Sequence, residues 1–251
     1  MYPELFRIGN FTISSYGVMV AFAFLAAYWL SSLEFKRRGL DDRLLGNFLI
    51  AAMVGGIVGA KIVYLLENVT FSEFAGNPIH YLLARGGLTY LGGLLGAALL
   101  MWYIAYRNKM SFWALGDAVT PGLAIAYAIA RVGCLLVGDD YGVPSDLPWA
   151  MAFPKGLPPT TERVHPTQIY EILLMGAVFI YLWKIRKKQA PTGWLFSIFL
   201  ILAGLERFLV EFVRATTPSP IPHLSLAQLM SIGMIIIGII KLILIHRLKV
   251  I

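Results

Sequence analysis

Charged side chains stand in stretches of this sequence that are otherwise apolar. Arg131 closes one such stretch, and Arg207 and Glu211 lie in another. Arg207 and Glu211 are four residues apart and share one helix face, where they can form a purely structural ion pair. The alternative is functional: Arg131 and Arg207 together bind a phosphate, because the planar guanidinium matches phosphate oxygens and stays charged in apolar surroundings. Membranes offer that phosphate as lipid headgroups.

His165 is the histidine best placed for proton transfer. It lies in a polar stretch just before apolar residues resume, and imidazole exchanges a proton near neutral pH. A structural interpretation competes with this one, in which Thr167 caps the following helix. Tyr16 and Cys134, both in apolar sequence, are explained by packing alone. No group of His, Cys and acidic residues has the spacing of metal ligands, so we expect no metal.

Apolar segments of about 20 residues, long enough to cross a membrane as helix, must carry these side chains. Hydrophobic residues make up 58% of the 251 positions and charged residues 14%, with a mean hydropathy of +0.72. A soluble domain is much less apolar. The sequence therefore predicts an all-α integral membrane protein with seven transmembrane helices, at roughly 14–33, 44–66, 87–106, 112–130, 168–184, 192–212 and 225–245.

Basic residues alternate between the connections. Clusters follow the first, third, fifth and last segments, namely Lys36, Arg37, Arg38 and Arg43, then Arg107 and Lys109, then Lys184, Arg186, Lys187 and Lys188, and finally Arg247 and Lys249. Cytoplasmic loops are enriched in Lys and Arg, so we expect the N-terminus outside and the C-terminus inside. The formal net charge of +7 is then explained by orientation, and we expect no nucleic acid as a partner.

Glycines and prolines mark two further features. The second segment contains Gly55, Gly56 and Gly59, and the third contains Gly92, Gly93 and Gly96, a spacing that lets two helices pack closely or breaks a helix beside a cavity. The proline-rich connection at about 131–167 is long enough to be functional. We expect residues 1–251 to form a single transmembrane domain with this connection as a small outward-facing cap.

Several stretches resemble the bacterial prolipoprotein diacylglyceryl transferases, in the family's order and over the whole chain. They are Tyr16-Gly17, the glycine-rich run from Gly86 to Gly96, Arg131-Val132-Gly133-Cys134 leading through Asp139 to Gly142, Leu147 to Pro154, His165 to Glu171, and Arg207 to Arg214. Together these stretches are far more specific than any one of them.

The resemblance implies an enzyme that transfers the diacylglyceryl group of phosphatidylglycerol to the lipobox cysteine of a preprolipoprotein, in the bacterial cytoplasmic (inner) membrane. It implies that Arg131 and Arg207 bind the phosphate, and that Asp139 and Glu211 orient them. His165 is a candidate acid or base. The residues implied to contact phosphatidylglycerol are Arg131, Arg207, Tyr16, Tyr90, Gly92, Gly93 and Gly142. The chemistry requires no cofactor, and the partners are the two substrates and membrane lipids.

The sequence departs from the family pattern at Leu91, where many members have a histidine that is a favoured general base. Tyr90, His165 or a second acid could take its place. The departure leaves open a paralogue with another acceptor or a relative without catalysis. Independently of it, intramembrane Arg and Glu with glycine-broken helices would also suit a lipid or anion transporter.

Overall fold

The computed structural model describes residues 1–9, 11–84, 87, 89–214 and 224–247, and only the backbone of Ile8, Phe11 and Leu83. Gly86 and Leu88 of the glycine-rich run, and Lys249 of the basic tail, lie outside these ranges. Within them the chain is largely helical. It divides into two compact units. One contains Phe35–Leu115, and the second contains Met1–Glu34 and Gly116–Ile251.

The described ranges contain nine α-helices and four short strands. The helices are α1 (Ser15–Arg38), α2 (Arg43–Asn68), α3 (Phe71–Gly76), α4 (Pro78–Leu83), α5 (Tyr90–Arg107), α6 (Phe112–Val137), α7 (Thr167–Ile185), α8 (Trp194–Val210) and α9 (Leu226–Arg247). Strands β1 (Glu4–Ile8) and β2 (Phe11–Ser14) form one antiparallel hairpin, and β3 (Met151–Phe153) and β4 (Thr160–Val164) form another. A 3₁₀ turn, Glu211–Val213, follows α8 directly.

The long helices define a multi-pass membrane protein. Five of the helices in the described ranges, α1, α2, α6, α7 and α9, are long and apolar enough to cross a membrane. Helices α5 and α8 are shorter, at 18 and 17 residues, and lie on the third and sixth predicted segments. Large apolar side chains such as Trp29, Ile57 and Leu173 are exposed along these helices, as expected of surfaces that face lipid.

Close packing of α2 on α5 organises the unit Phe35–Leu115. A Cβ atom added at Gly59 would lie 2.7 Å from the Cα of Gly96 and would overlap the carbonyl oxygen of Gly92. Gly55 is equally crowded by the backbone at Gly96. Backbones this close are possible only without side chains, which confirms the predicted packing of the second segment on the third.

The other unit is built around α6, α7 and α8. Its core contains Ala124 and Ala128 of α6, Met175 and Leu182 of α7, and Phe199 of α8. Small residues on α6 let the bulky side chains of its two neighbours meet, so the three helices share one apolar core.

Asp117 of α6 caps the start of α8. Its carboxylate, which is buried, accepts hydrogen bonds of 2.8 Å from the backbone N–H groups of Gly193 and Phe196. Donors at a helix N-terminus have no partner within the helix, and a carboxylate there also favours the helix dipole. The cap therefore fixes the beginning of α8 against α6.

Helix α6 continues past residue 130 to Val137, so the predicted boundary at Arg131 is wrong. Residues 132–137 are themselves apolar or small, and the charge of Arg131 is neutralised by tertiary contacts, so nothing ends the helix there. Beyond α6, β3 and β4 order the connection to α7. Arg163 of β4 reinforces it by donating hydrogen bonds to the carbonyl oxygens of Leu147, Pro148 and Ala150.

Candidate functional site

Three arginines surround the carboxylate of Glu171, in the second turn of α7. Arg131 of α6 places its Nε 2.8 Å from Glu171 Oε2, and Arg207 of α8 places its Nη1 2.9 Å from Oε1. Arg214, just after the 3₁₀ turn, places its Nη1 3.6 Å from the same Oε1. Glu171 is completely buried. A buried carboxylate requires compensating charge, so Glu171 draws the three guanidiniums together.

Two further carboxylates complete the cluster. Asp140, three residues beyond α6, binds Arg131 Nη1 through Oδ2 at 2.7 Å and Arg214 Nη2 through Oδ1 at 3.0 Å. Glu211 lies 2.9 Å from Arg207 Nη2 and 3.8 Å from Arg214 Nε. The predicted pair of Arg207 with Glu211 is therefore present. We call Arg131, Arg207, Arg214, Asp140, Glu171 and Glu211 the arginine cluster.

The acids of the cluster differ in exposure. The side chains of Glu171 and Glu211 are 0% and 4% exposed, whereas that of Asp140 is 44% exposed. The three arginine side chains are between 12% and 24% exposed. Glu171 and Glu211 are thus enclosed by protein, whereas the side chain of Asp140 is partly exposed at the surface of the cluster.

Tyr127 of α6 extends the cluster along the helix. Its hydroxyl donates a hydrogen bond of 3.0 Å to Glu171 Oε1 and accepts one of 3.3 Å from Arg131 Nη2. The hydroxyl therefore satisfies an arginine donor that would otherwise be unpaired in apolar surroundings. Glu206, the residue before Arg207, is also buried, and its Oε1 has no hydrogen-bond partner among the described residues.

The two neighbouring aspartates after α6 have opposite environments. Burial raises the pKa of Asp139, and the nearby charge of Asp140 adds to the effect, although the Cys134 thiol and Arg131 oppose it. Burial would also raise the pKa of Asp140, but Arg214 and Arg131 outweigh it, so that pKa lies below its ordinary value. Asp140 is thus firmly ionised, and Asp139 holds a proton more readily.

The contact with Arg131 comes from Asp140, the neighbour of the aspartate that the resemblance indicated. Asp139 directs its backbone carbonyl to the side-chain amide of Gln168, and its Oδ1 is buried without a hydrogen-bond partner among the described residues. Asp140 has a positive φ of 59°, so the backbone turns sharply between the two side chains. This turn explains why the adjacent acids Asp139 and Asp140 have different partners.

Gly142 ties the connection after α6 to the segment that carries Arg214. Its N–H donates to the carbonyl of His165 at 2.9 Å, and the N–H of Val143 donates to the carbonyl of Val213 at 3.0 Å. A Cβ atom at Gly142 would overlap the Val213 carbonyl oxygen and approach the Cβ of His165 to 2.9 Å. Only glycine allows this approach, which brings Asp140 to Arg214.

His165 lies beside this junction with an aromatic partner. Its Nδ1 is 3.2 Å from the hydroxyl of Tyr170, which also accepts a hydrogen bond of 2.8 Å from Trp149 Nε1. Thr167 is not the cap of α7, because its hydroxyl donates to the carbonyl of Asp140 at 2.7 Å. The interpretation of this stretch as a side-chain helix cap is therefore wrong, and Thr167 instead anchors Asp140.

The other predicted contacts are spread over both units. Tyr16 lies in the first turn of α1, is 44% exposed, and lies against Gly133 of α6. Tyr90 begins α5 and is exposed. Gly92 and Gly93 follow it and pack against Gly59 and Gly56 of α2. The packing of α2 on α5 accounts for both glycines.

Sequence reasoning singled out Arg131, Arg207 and Glu211 but missed Glu171, Asp140, Arg214 and Tyr127 as parts of the site. Glu171 carried a usable signal, because it is an acid inside an apolar segment and has no basic residue within four positions. Such a charge requires a partner from another element. Tyr127 carried no comparable signal.

One group of atoms could in principle bind a cation. Ligand atoms of Cys134, Asp139 and Asp140 lie within 4.8 Å of one another. However, Arg131 Nη1 is 3.6 Å from Cys134 Sγ and 2.7 Å from Asp140 Oδ2. A metal ion would meet a guanidinium at these atoms, so the arrangement favours the arginine as their cationic partner.

The fold and this site define a multi-pass membrane protein with a buried arginine–carboxylate cluster at the ends of three helices. The family model described as prolipoprotein diacylglyceryl transferase matches residues 3–244. Proteins named phosphatidylglycerol–prolipoprotein diacylglyceryl transferase are similar over nearly their whole length. The protein from Aliivibrio salmonicida is 34% identical over 96% of this chain and 86% of its own. Those from Geobacter sulfurreducens and Clostridium tetani are 33% and 32% identical, over 99% and 95% of this chain and 96% of theirs.

This chain belongs to the prolipoprotein diacylglyceryl transferase family. The matched residues include every member of the arginine cluster, on both sides of the connection between α6 and α7.

Proposed function

We propose that this protein transfers the diacylglyceryl group of phosphatidylglycerol to the thiol of a lipobox cysteine in a prolipoprotein. This is the first step of lipoprotein lipidation. The observation that carries the proposal is the arginine cluster, which holds three guanidiniums within a family of transferases that act on an anionic lipid.

In the reaction, the acceptor sulfur forms a bond to the terminal glycerol carbon of the diacylglyceryl group. The bond between that carbon and the phosphate oxygen breaks, and the electron pair leaves with glycerol phosphate. Negative charge therefore builds on the phosphate as the bond breaks. Arg131 and Arg207 bind this phosphate and stabilise the charge, because fixed donors in a site shielded from water act strongly on developing charge.

Glu171 and Glu211 act as positioning residues for the two arginines. Glu171 contacts both, and Glu211 contacts the other terminal nitrogen of Arg207. A guanidinium fixed by carboxylates loses less conformational freedom when the phosphate binds, so the site is prepared before the lipid arrives. Tyr16 and Gly142 lie on elements next to Arg131 and Arg214 and contribute contacts to the headgroup.

The acceptor thiol must lose its proton, because the thiolate is the nucleophile. Leu91 stands where many family members have a histidine, so another group takes the proton. Asp139 is one candidate, since its carboxyl has a raised pKa and an oxygen without a hydrogen-bond partner among the described residues. His165 is a second candidate, with its Nδ1 directed to Tyr170. Tyr90 is the third candidate from sequence.

The topology that suits this reaction has seven spans, an outside N-terminus and an inside C-terminus in the bacterial inner membrane. Helices α1, α5 and α9 end in basic residues, and basic residues also follow α7. These ends would face the cytoplasm. The arginine cluster, near the last turns of α6 and α8, then faces the outer leaflet under a cap formed by residues 138–166, in one transmembrane domain.

The test uses purified protein in nanodiscs that contain phosphatidylglycerol, with a synthetic lipobox peptide that carries one cysteine. Mass spectrometry should find a diacylglyceryl thioether on this peptide and none on the matched peptide with serine. Variants Arg131→Ala and Arg207→Ala, at normal membrane levels, should give no adduct. Folded protein that binds phosphatidylglycerol without forming an adduct would contradict the proposal and indicate another acceptor or a silent relative. An adduct formed by the Arg131→Ala variant would instead refute the role of Arg131 in binding the phosphate.

A further inference from the structure

We propose that Asp140 and the lipid phosphate compete for one position on the arginines, and that the Asp140 side chain exchanges with the phosphate in each cycle. The inference rests on the proposed function. It assigns Asp140 as the residue that sets the affinity for phosphatidylglycerol and assists release of glycerol phosphate, a role distinct from that of the two glutamates.

The first observation is that all three side-chain nitrogens of Arg131 already have a partner, whereas Arg214 Nη1 has no hydrogen-bond partner among the described residues. Arg131 uses Nε for Glu171, Nη1 for Asp140 and Nη2 for Tyr127. Both terminal nitrogens of Arg207 face glutamates, Glu171 and Glu211, so Arg207 acts on an anion at the position of Asp140 through its charge. A phosphate that binds the guanidinium of Arg131 must therefore replace a partner that is already there.

The second observation is that only one of these partners can leave at low cost. Withdrawing Glu171 or Glu211 would leave a buried carboxylate unpaired, which is strongly unfavourable. Asp140 is different because 44% of its side chain is already exposed, so its carboxylate can rotate into water. An ion pair with an exposed member is held less tightly than a fully buried one. Asp140 is thus the exchangeable partner.

The third observation is the geometry of the contact. The two oxygens of Asp140 bind different arginines, Oδ2 with Arg131 at 2.7 Å and Oδ1 with Arg214 at 3.0 Å. Two oxygens of one phosphate can bridge neighbouring guanidiniums in the same manner. The carboxylate therefore keeps both arginines in a spacing suited to a single anion.

The backbone of Asp140 remains fixed while the side chain moves. Its carbonyl oxygen accepts a hydrogen bond of 2.7 Å from Thr167, and Gly142, two residues on, is bonded to the carbonyl of His165 at 2.9 Å. Exchange then requires a change of side-chain rotamer alone. After the transfer, the tethered carboxylate is immediately available to compete with glycerol phosphate for Arg131 and Arg214.

The experiment compares Asp140→Asn with Asp146→Asn in nanodiscs of phosphatidylcholine with a graded content of phosphatidylglycerol. Asp146 lies exposed in the same connection, so both variants remove one negative charge from it. For Asp140→Asn we expect the KM for phosphatidylglycerol to fall about three- to tenfold, the scale of a partly exposed ion pair, with a smaller change in kcat. Inhibition by added glycerol phosphate should strengthen by a similar factor. Asp146→Asn should leave both quantities unchanged, and Asp140→Glu should stay near the wild-type KM.

A higher KM in Asp140→Asn, or a KM equal to that of Asp146→Asn, would overturn the inference. In the first case Asp140 would serve only to hold the arginines. Melting temperatures of all variants exclude misfolding as the cause. Failure of the proposed function is distinguishable, because it removes the adduct from the wild-type protein, whereas failure of this inference leaves wild-type transfer intact and changes only the comparison between variants.

Discussion

Tyr127 of α6 donates a hydrogen bond of 3.0 Å to the Oε1 atom of Glu171 on α7. The same hydroxyl accepts a hydrogen bond from Arg131 at 3.3 Å, so one phenol links an arginine to the central carboxylate. This link completes the surroundings of Glu171, which has no exposed surface.

Replacing Tyr127 by phenylalanine tests the value of that link. Tyr127→Phe removes the hydroxyl and leaves Arg131 Nη2 without this partner, so we expect a loss of about 1–3 kcal/mol in the free energy of unfolding. Thermal melting in detergent measures it. Tyr181→Phe is the matched control, since Tyr181 of α7 is 49% exposed, and its melting temperature should not change. Equal melting temperatures for the two variants would contradict the assignment.

Lysine cannot replace the arginines that we assign to the phosphate. Arg131→Lys and Arg207→Lys keep the charge but lose the planar fork that contacts two partners at once. We expect kcat/KM for transfer to fall about 10²-fold or more, the usual loss for a donor to developing charge. Arg7→Lys in β1, at an exposed pair with Glu4, should retain full activity. Activity within twofold of wild type in either site variant would argue against phosphate binding by a guanidinium fork.

Stability should depend on pH through Asp139. Burial raises its pKa in the folded state, so its ionised form costs stability at any pH above the ordinary value. As the pH falls through the raised pKa, Asp139 takes up a proton in the folded state. Below the ordinary aspartate pKa of about 3.9 it is protonated in the unfolded state as well, and the cost to stability disappears. Asp139→Asn should therefore melt higher than wild type at pH 8, with a difference that shrinks toward pH 4. A difference that grows on acidification would contradict the raised pKa. Asp146→Asn serves as the exposed control.

Two glycines of α2 should respond oppositely to alanine. A Cβ at Gly59 would overlap the backbone of α5, whereas a Cβ at Gly46 meets no atom within 4 Å among the described residues. Gly59→Ala should lower the melting temperature or the membrane level of the protein. Gly46→Ala should be neutral or stabilising by up to about 1 kcal/mol, since alanine favours helix. Similar behaviour of both variants would show that the approach of α2 to α5 is not tight.

The apolar segments were predictable because membrane helices depend on composition over about 20 residues, and a helix of the structure lies on each predicted segment. The end of α6 was not predictable, because the charge of Arg131 is neutralised by tertiary contacts with Asp140 and with Glu171, which is forty residues away in the chain. Hydrophobicity along the sequence does not contain that contact.

The site was predictable where partners are close in sequence, as in Arg207 and Glu211. Asp140 was not distinguishable from Asp139, because the choice depends on a positive φ at a single turn. The resemblance indicated Asp139 as the residue that orients the arginine. In the structure its neighbour Asp140 makes the contact with Arg131.

The cap of α8 by Asp117 also sets how far along their helices Arg131 and Arg207 lie. Its bond to the N–H of Gly193 joins α6 and α8 at one level. Arg131 follows Asp117 by fourteen residues, and Arg207 follows Gly193 by fourteen. At 1.5 Å per residue each arginine lies about 21 Å of helix beyond the shared bond. Because the two helix segments are equally long, both guanidiniums lie at the same depth. A one-residue insertion in either segment would shift its arginine by about 1.5 Å and turn it by about 100° away from Glu171.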